Sequence, residues 1–363
     1  MTSPFDPIQL RELQIPNRVW MSPMCTYSAA PDGNLVGAPT DFHLSHYASR
    51  AAGGVGMVMV EATGVRPEGR ISPWDLGLWT TEQQHAFERI ATAISAAGAV
   101  PAIQLAHAGR KASVNKPWLG DNPVGPDQHG WQPVGPSQVA YPGLPVPHEL
   151  TVAEIADIVD AFAAAAARSL AAGFKVAEIH AAHGYLLHSF LSPLSNHRTD
   201  AHGGDLTGRS RIVLEIIDAV RAVWPAHLPL LLRISTTDWI TENPADGRTA
   251  WTVEDSIELA RLASKHGVDL IDASSGGLVP TSIPTDRDYQ TRNAHQVRTQ
   301  AGVMVAAVGR ISDPARAAQL IDEGHADAVF LGRPLLRDAS WANNAAAALG
   351  AAPRYLEQYH YAI

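Results

Sequence analysis

Cysteine is nearly absent from this sequence, because Cys25 stands alone among 363 residues. A chain with one cysteine can form no intrachain disulfide and cannot hold a cysteine-ligated iron–sulfur cluster. Long apolar runs are missing too, since none approaches the ~20 residues that cross a bilayer. The N-terminus lacks the basic segment and apolar run of a signal peptide. We therefore expect a cytoplasmic protein without a membrane anchor.

Positive charge is in short supply. The net charge is −9 at pH 7 and the isoelectric point is about 5.9, which argues against nucleic acid or an anionic membrane as a partner. Apolar residues make up 46% of the chain and charged residues 17%. This composition supports a large core and excludes general disorder.

A dinucleotide-binding fingerprint is missing as well. The glycine-rich stretch Gly53-Gly54-Val55-Gly56 precedes a predicted strand instead of following one. It therefore cannot place a helix N-terminus on a pyrophosphate. A Rossmann sheet would also need fewer strands than this chain offers.

Short apolar runs alternate with amphipathic helical stretches along the whole chain. Each short run is fully apolar in its middle, as a buried parallel strand should be. The predicted strands are Arg18–Ser22, Gly56–Glu61, Val100–His107, Val176–His180, Pro229–Ser235, Leu270–Ser274, Met304–Val308 and Ala328–Gly332. Eight strand–helix units without a break in composition predict an α/β fold. We expect a single (β/α)8 TIM barrel, one domain over residues 1–363.

One segment breaks the alternation. Residues 109–150 follow the third strand and are rich in Gly, Pro and Trp. Long loops inside compact domains are usually functional, so we predict a long excursion after strand 3 that covers the catalytic face. A surface cover without a role in catalysis is the alternative.

Polar chemistry is concentrated at the end of the fourth predicted strand. His180, His183 and Tyr185 follow one another there, and strand ends of this kind form the catalytic face of a barrel. Two imidazole donors and a phenol suit the polarisation of a carbonyl group and the protonation of the carbon skeleton attached to it. Capping histidines are one alternative. A metal-dependent barrel hydrolase is another, although the first strand ends in Ser22-Pro23-Met24-Cys25 and not in His-x-His.

The last two predicted strands end in glycine–arginine pairs, Gly309-Arg310 and Gly332-Arg333. Barrels bind phosphate groups with the loops after strands seven and eight, through glycine amides and a helix N-terminus. Each arginine would add charge-assisted donors. These pairs predict a phosphorylated cofactor.

Other strand ends carry groups that suit a flavin ring. Gln104 can bond a ring carbonyl and imide, and Arg233 can place positive charge near the pyrimidine end. An unpaired buried guanidinium is costly, which favours a planar anionic ligand beside Arg233. Met24 and Cys25 bring sulfur to the same region, with a small buried hydrophobe as the alternative for Cys25.

Several motifs in this chain match those of a known protein family in their order and in their positions at strand ends. They are Pro16-Asn17-Arg18, Ser22-Pro23-Met24-Cys25-Thr26-Tyr27, Gln104-Leu105-Ala106-His107-Ala108-Gly109-Arg110-Lys111, His180-Ala181-Ala182-His183-Gly184-Tyr185, Leu191-Ser192-Pro193-Leu194-Ser195-Asn196-His197-Arg198-Thr199-Asp200 and Gly332-Arg333. The chain resembles the Old Yellow Enzyme family of flavin-dependent ene-reductases over nearly its whole length. Within that family it is most similar to the thermophilic-like branch of bacterial alkene reductases.

The resemblance implies a barrel that binds FMN non-covalently and is reduced by NADPH or NADH. Hydride would then pass from flavin N5 to the β-carbon of an activated alkene such as an enone, enal, maleimide or nitroalkene. The residues implied to hold FMN are Ser22, Pro23, Met24, Cys25, Ala62, Gln104, Arg233, Gly309, Gly332 and Arg333. A flavin-binding protein without catalysis remains the alternative.

Substrate roles are implied in the same way. His180 and His183 would hold the substrate carbonyl, Tyr27 would help to bind it, and Tyr185 would protonate the α-carbon. The resemblance also implies a homodimer or homotetramer, because members of the branch place a C-terminal arginine or tryptophan in a neighbour's active site. Tyr361 stands at the arginine's position here, which alters the expected pocket rim.

Overall fold

The computed structural model describes residues 2–120, 122–243 and 245–362. Met1, Asp121, Pro244 and Ile363, which belong to the predicted domain, lie outside the described residues. Parallel strands close into a barrel in which each strand pairs with the next along the chain and the last pairs with the first. In chain order they are β1 Val19–Met21, β2 Met57–Gly64, β3 Val100–Ala106, β4 Val176–Ala181, β5 Leu230–Ser235, β6 Leu270–Ser274, β7 Met304–Val308 and β8 Ala328–Leu331. The predicted TIM barrel is confirmed, and every strand end lies within three residues of its prediction.

Helices cover the outside of the barrel. They are α1 Asp41–Ala52, α2 Thr81–Ala96, α3 Val152–Ala171, α4 Leu186–Leu191, α5 Leu206–Val223, α6 Val253–Lys265, α7 Thr291–Ala301, α8 Pro314–Asp322, α9 Arg333–Arg337 and α10 Trp341–Ala348. Helix α3 shows why they form where they do: Thr151 and Glu154 make a reciprocal capping box, and Ile155, Ile158 and Phe162 are buried on one face. Among the helices of the described residues, none is long and apolar enough to cross a membrane.

The inside of the barrel changes character along the strands. Its lower half, toward the N-terminal strand ends, is apolar, with Trp20 and Phe330 packed edge to face at 5.3 Å between ring centroids. A hairpin of Ile8–Leu10 and Leu13–Ile15 packs onto this core and closes the lower end. Two residues further along strands β3 to β6, the inward side chains are polar, namely Gln104, Glu178, Arg233 and Asp272. Only the upper end can therefore hold polar chemistry.

The excursion after β3 folds over this upper end. It contains short 3₁₀ turns and a two-stranded sheet of Val134–Gly135 and His148–Glu149. Arg110 fastens it by donating from Nη2 to the carbonyl of Leu278 at 2.7 Å. The predicted position of the excursion over the upper end of the barrel is confirmed.

Candidate active site

His180, His183 and Tyr185 lie together where β4 ends. The His180 ring makes edge contacts with both neighbours, at 5.1 Å between centroids in each case. His180 is 3% exposed. The structure therefore brings together the three side chains to which sequence assigns the chemistry.

Hydrogen bonds determine where these rings carry their protons. Burial lowers the pKa of both His180 and His183 well below the usual range, and the nearby Arg233 charge adds to the effect. Both rings are therefore neutral. The backbone N–H of Ala182 donates to His180 Nδ1 at 3.1 Å, so the His180 proton must sit on Nε2. That nitrogen lies 3.4 Å from His183 Nδ1, and His183 Nε2 lies 2.8 Å from the hydroxyl of Ser274.

The turn that carries His183 is held in an unusual backbone conformation. His183 and Gly184 have φ angles of +60° and +76°, a region that favours glycine. A Cβ at Gly184 would lie 2.2 Å from the carbonyl oxygen of Gly277. His188 accepts the Gly184 N–H at 2.9 Å and pairs with buried Asp238 at 3.0 Å. These contacts fix the catalytic turn against the loop after β6.

A cavity of about 450 Å³ opens beside Tyr185. Tyr27, Tyr141 and Lys111 also line it. The Lys111 ammonium donates to the carbonyls of His183 and Gly277 at 2.8 and 2.9 Å. It also lies over the rings of Tyr185 and Tyr141, 5.2 and 4.8 Å from their centroids. The predicted pair Tyr27 and Tyr185 thus shares one pocket with a cation.

A second cavity, of about 370 Å³, lies where β7 and β8 end. Predicted residues Gly309, Gly332 and Arg333 line it, together with Arg310 and Arg337. Gly309 has a φ of +108°, and a Cβ there would lie 2.6 Å from Gln290 Nε2. The three guanidinium groups and the exposed backbone give this cavity the character of a phosphate site.

The segment after β1 connects the two cavities. Met24 approaches Gly332, where a Cβ would lie 3.4 Å from the methionine sulfur. Cys25 packs with Ala62 and Tyr185 in one apolar cluster. The hydroxyl oxygen of Ser22 is buried without a hydrogen-bond partner among the described residues. Pro23, between Ser22 and Met24, is half-buried.

Burial raises the pKa of the Cys25 thiol well above its usual value, and the carboxylates of Asp75 and Glu61 reinforce the shift. Cys25 is therefore a neutral thiol, and its contact with a flavin stays a prediction.

Gln104 and Arg233 project into the barrel below these pockets. Gln104 Nε2 donates to Glu178 at 2.8 Å. Arg233 Nε lies 3.0 Å from Asp272. The neighbouring strand β6 thus supplies a carboxylate partner, so Arg233 needs no anionic ligand to be paired, and its contact with a flavin stays a prediction.

Tyr361 is not brought to the site of its own chain. It is 92% exposed. The tail before it is anchored by Arg354, whose Nη2 donates to the carbonyl of Gly98 at 2.9 Å. Because Gly98 precedes β3, this anchor lies at the lower end of the barrel. The role of Tyr361 in a neighbouring subunit stays a prediction.

Comparison with known proteins agrees with this geometry. A model of the NADH:flavin oxidoreductase / NADH oxidase family matches residues 3–351. The chain belongs to this family. It is 42% identical over 343 residues to the NADPH dehydrogenase of Bacillus subtilis (strain 168), with 94% of each chain covered. It is 41% identical over 347 residues to the NADPH dehydrogenase of Halalkalibacterium halodurans, covering 95% of this chain and 94% of that one.

Solved structures show the same fold. An old yellow enzyme homologue from Zymomonas mobilis matches with a TM-score of 0.78 and 26% identity, covering 98% of this chain and 97% of the other. Morphinone reductase matches with a TM-score of 0.76 and 28% identity, covering 97% and 90%. The resemblance to the Old Yellow Enzyme family and its thermophilic-like branch is confirmed. The chain is an NAD(P)H-dependent flavin oxidoreductase.

Because the chain belongs to a flavin oxidoreductase family, the alternative that His180 and His183 belong to a metal-dependent hydrolase is not supported. Within the described part of the chain, no group of three or more His, Cys, Asp or Glu side chains could hold a metal ion.

Sequence reasoning missed Lys111, Ser274 and Glu178 as parts of the site. Ser274 ends β6 and Lys111 lies five residues beyond β3, whereas Glu178 lies inside β4. A rule that examined every polar residue at or inside an apolar strand would have found Ser274 and Glu178.

Proposed function

We propose that the protein is an FMN-dependent ene-reductase acting on α,β-unsaturated carbonyl compounds. The observation that carries the proposal is the meeting of His180, His183 and Tyr185 beside the 450 Å³ cavity. Reduction by NADPH or NADH would be followed by reduction of an enone, enal, maleimide or nitroalkene. We further propose that residues 1–363 act as one FMN-binding domain.

The residues present fit FMN. A 370 Å³ cavity lined by arginines and glycines suits its phosphate. The unpartnered Ser22 hydroxyl and the side chains of Gln104 and Arg233 offer polar contacts to a planar ring. Pro23, Met24, Cys25 and Ala62 would form the wall beside it, and Gly309, Gly332 and Arg333 would hold the phosphate. Bound FMN would accept hydride from the nicotinamide and deliver it to the alkene β-carbon.

His180 and His183 act on the substrate carbonyl. His180 Nε2 lies 3.4 Å from His183 Nδ1, and a substrate carbonyl oxygen beside this pair would accept the Nε2–H of neutral His180 in place of His183. Negative charge grows on that oxygen as hydride arrives, and a fixed donor therefore stabilises the transition state more than the ground state. Tyr27, which also lines the cavity, would limit where the substrate can lie.

Tyr185 supplies the proton to the α-carbon. A phenol with a solution pKa of ~10 is protonated at neutral pH and can act as an acid. Its ring is held between the edge of His180 and the ammonium of Lys111. The excursion covers this cavity and would keep bulk water from competing for the proton.

The absorption spectrum of the purified protein tests the cofactor first. We expect a yellow protein that releases FMN when denatured. Steady-state assays with NADPH and cyclohexenone then test the reaction, with saturated cyclohexanone as the matched control. Consumption of NADPH that depends on the double bond supports the ene-reductase.

Two results would contradict the proposal in different ways. A colourless protein that does not take up FMN would show that FMN is not the cofactor. A yellow protein that oxidises NADPH but leaves cyclohexenone, a maleimide and a nitroalkene unreduced would indicate flavin binding without ene reduction.

We also propose a homodimer or homotetramer in which Tyr361 enters a neighbour's cavity. The high exposure of Tyr361 supports an intermolecular role. Removal of residues 358–363 should weaken enone binding, measured as the KM, without unfolding the barrel. An unchanged KM and a monomeric mass in sedimentation would count against the arrangement.

A further inference from the structure

Four polar side chains form a floor beneath the site, one from each of four neighbouring strands. Gln104 comes from β3, Glu178 from β4, Arg233 from β5 and Asp272 from β6, and all are buried. Gln104 Nε2 donates to Glu178 Oε1 at 2.8 Å. Arg233 Nε pairs with Asp272 Oδ2 at 3.0 Å. We call these residues the floor quartet.

The floor quartet holds two carboxyl groups but only one guanidinium. Among the described residues, Glu178 Oε2 and both oxygens of Asp272 make no hydrogen bond and are closed off from solvent, and Arg233 Nε contacts Asp272 only as an ion pair. Two ionised carboxylates around one guanidinium would leave one uncompensated negative charge in the core, which is costly. A single added proton makes the quartet neutral. It also converts one carboxylate oxygen that has no hydrogen-bond partner into an O–H donor.

That proton belongs on Glu178, because Asp272 is the carboxylate that pairs with the guanidinium. Burial raises the pKa of Glu178, the Asp272 charge raises it further, and Arg233 and the bond from Gln104 oppose the shift. Other neighbours do not compensate. His180 on the same strand and His183 beyond it are neutral.

Glu61 of β2 is bonded instead to Tyr47 on α1. Below the quartet the barrel is apolar, with Leu231 and Ala102 facing inward. Arg233 is the positive charge that acts on Glu178, and the ammonium of Lys111 is bonded to the carbonyls of His183 and Gly277.

We propose that Glu178 is a positioning residue that keeps its proton at neutral pH and fixes the amide of Gln104 for flavin binding. By accepting from Gln104 Nε2, it leaves Gln104 Oε1 as the acceptor available to the ring imide. Its neutrality also keeps an extra negative charge away from a ligand that becomes more negative on reduction. The inference rests on the proposed function only in naming that ligand.

Infrared spectroscopy of the purified holoprotein tests the protonation directly. A carboxylic acid absorbs where a carboxylate does not, so the parent spectrum at neutral pH should contain a carboxylic acid C=O band that Glu178→Gln lacks. Asp272→Asn is the matched comparison. Loss of the band in Asp272→Asn but not in Glu178→Gln would place the proton on Asp272 and overturn the assignment.

The midpoint potential of bound FMN tests the effect on the ligand. In the parent, the potential should fall below that of Glu178→Gln as the pH rises and Glu178 ionises. We expect the ratio of FMN dissociation constants for the reduced and oxidised forms to change at least ~10-fold relative to Glu178→Gln, which is ~30 mV for a two-electron couple. Identical pH profiles in the two proteins would refute the charge role.

A third variant tests the hold on Gln104. Glu178→Leu fills a similar space but accepts no hydrogen bond, so FMN should dissociate at least ~10-fold more readily than from Glu178→Gln. Equal dissociation from both variants would show that Glu178 does not position the amide. If the protein binds no FMN, the proposed function fails, whereas the infrared comparison still decides where the proton is.

Discussion

Among single residues, Tyr185 is the one whose role in chemistry can be separated from its role in binding. Flavin reduction by NADPH requires no proton at the substrate carbon, whereas completion of alkene reduction does. We predict that Tyr185→Phe leaves the reductive half-reaction nearly unchanged. It should slow reoxidation by cyclohexenone by ~10²–10⁴-fold, as expected for loss of a positioned acid. Stopped-flow absorbance of the flavin measures both steps.

Tyr141→Phe provides a matched control, because Tyr141 lines the same cavity and also lies under Lys111. It should alter neither half-reaction strongly. If cyclohexenone reoxidises Tyr185→Phe as fast as the parent, the proton comes from another source.

Arg333 tests the phosphate site. It is exposed at the start of α9 and lines the 370 Å³ cavity. We predict that Arg333→Ala weakens FMN binding roughly tenfold or more, because a charge-assisted hydrogen bond contributes ~1.5–3 kcal/mol. Fluorescence of FMN released on dilution measures this. Arg89→Ala, an exposed arginine on α2 that pairs with Asp41, should retain FMN like the parent.

The sequence could identify residues at strand ends but not the partners they meet across the barrel. Gln104, Arg233 and His180 were found because each ends an apolar run. The pairing of Arg233 with Asp272 depends on the register between β5 and β6, which a single sequence does not reveal. Asp272 lies inside an apolar strand and has no local pattern that marks it as a partner.

At the scale of elements, the turn after β4 and the loop after β6 must approach closely for the site to form. Gly184 allows this, since a Cβ there would meet the Gly277 carbonyl at 2.2 Å. We predict that Gly184→Ala destabilises the fold by at least ~2 kcal/mol through strain and collision, and that enone reduction falls as the histidines shift. Urea unfolding and steady-state rates measure the two effects.

Gly204→Ala separates strain from collision. Gly204 has a similar φ of +79°, but no atom lies within 4 Å of its Cβ position. It should cost only the ~1–2 kcal/mol of a left-handed non-glycine residue and leave the rate unchanged. Equal losses in the two variants would mean that the close approach to Gly277 is unimportant.

The boundaries of elements could be predicted well where a local signal exists. The capping box at Thr151 and Glu154 marks the start of α3, and apolar runs mark each strand. Strand β2 runs three residues beyond its predicted end at Glu61. Its register with β3 shifts between Val60 and Thr63, and this irregularity arises from packing between strands, which leaves no periodic mark in the sequence.

At the scale of the whole molecule, buried carboxyl groups connect stability to pH. Burial raises the pKa of Glu61 to about 7 and that of Asp75 to about 6. In the unfolded chain these groups lose their protons at lower pH, so the folded state binds more protons in between. The stability that these two carboxyl groups contribute therefore falls as pH rises from about 5 to about 7, by up to ~1.4 kcal/mol per pH unit for each group. Burial lowers the pKa of His43, His46 and His107 to about 4, and these histidines contribute in the opposite direction over the lower part of this range.

Glu61→Gln should remove one part of this decline, so that the slope of its stability against pH is more positive than that of the parent. The amide cannot ionise, so the variant loses the contribution of Glu61 to the slope while the other buried carboxyls keep theirs. Urea unfolding at several pH values measures the slope. Glu88→Gln, at an exposed position on α2, should reproduce the parent slope. A Glu61→Gln slope equal to that of the parent would show that Glu61 is ionised throughout the range.

The hairpin of Ile8–Leu10 and Leu13–Ile15 has a kinetic consequence. Because it closes the lower end of the barrel, we expect the nicotinamide and the alkene of the proposed reaction to arrive and leave through the same mouth at the upper end. The first substrate must leave as product before the second can bind, so the two substrates bind one after the other in each catalytic cycle. Initial rates plotted in double-reciprocal form at several fixed enone concentrations should give parallel lines, and excess NADPH should slow turnover by occupying the mouth. Intersecting lines would mean that both substrates are bound at once.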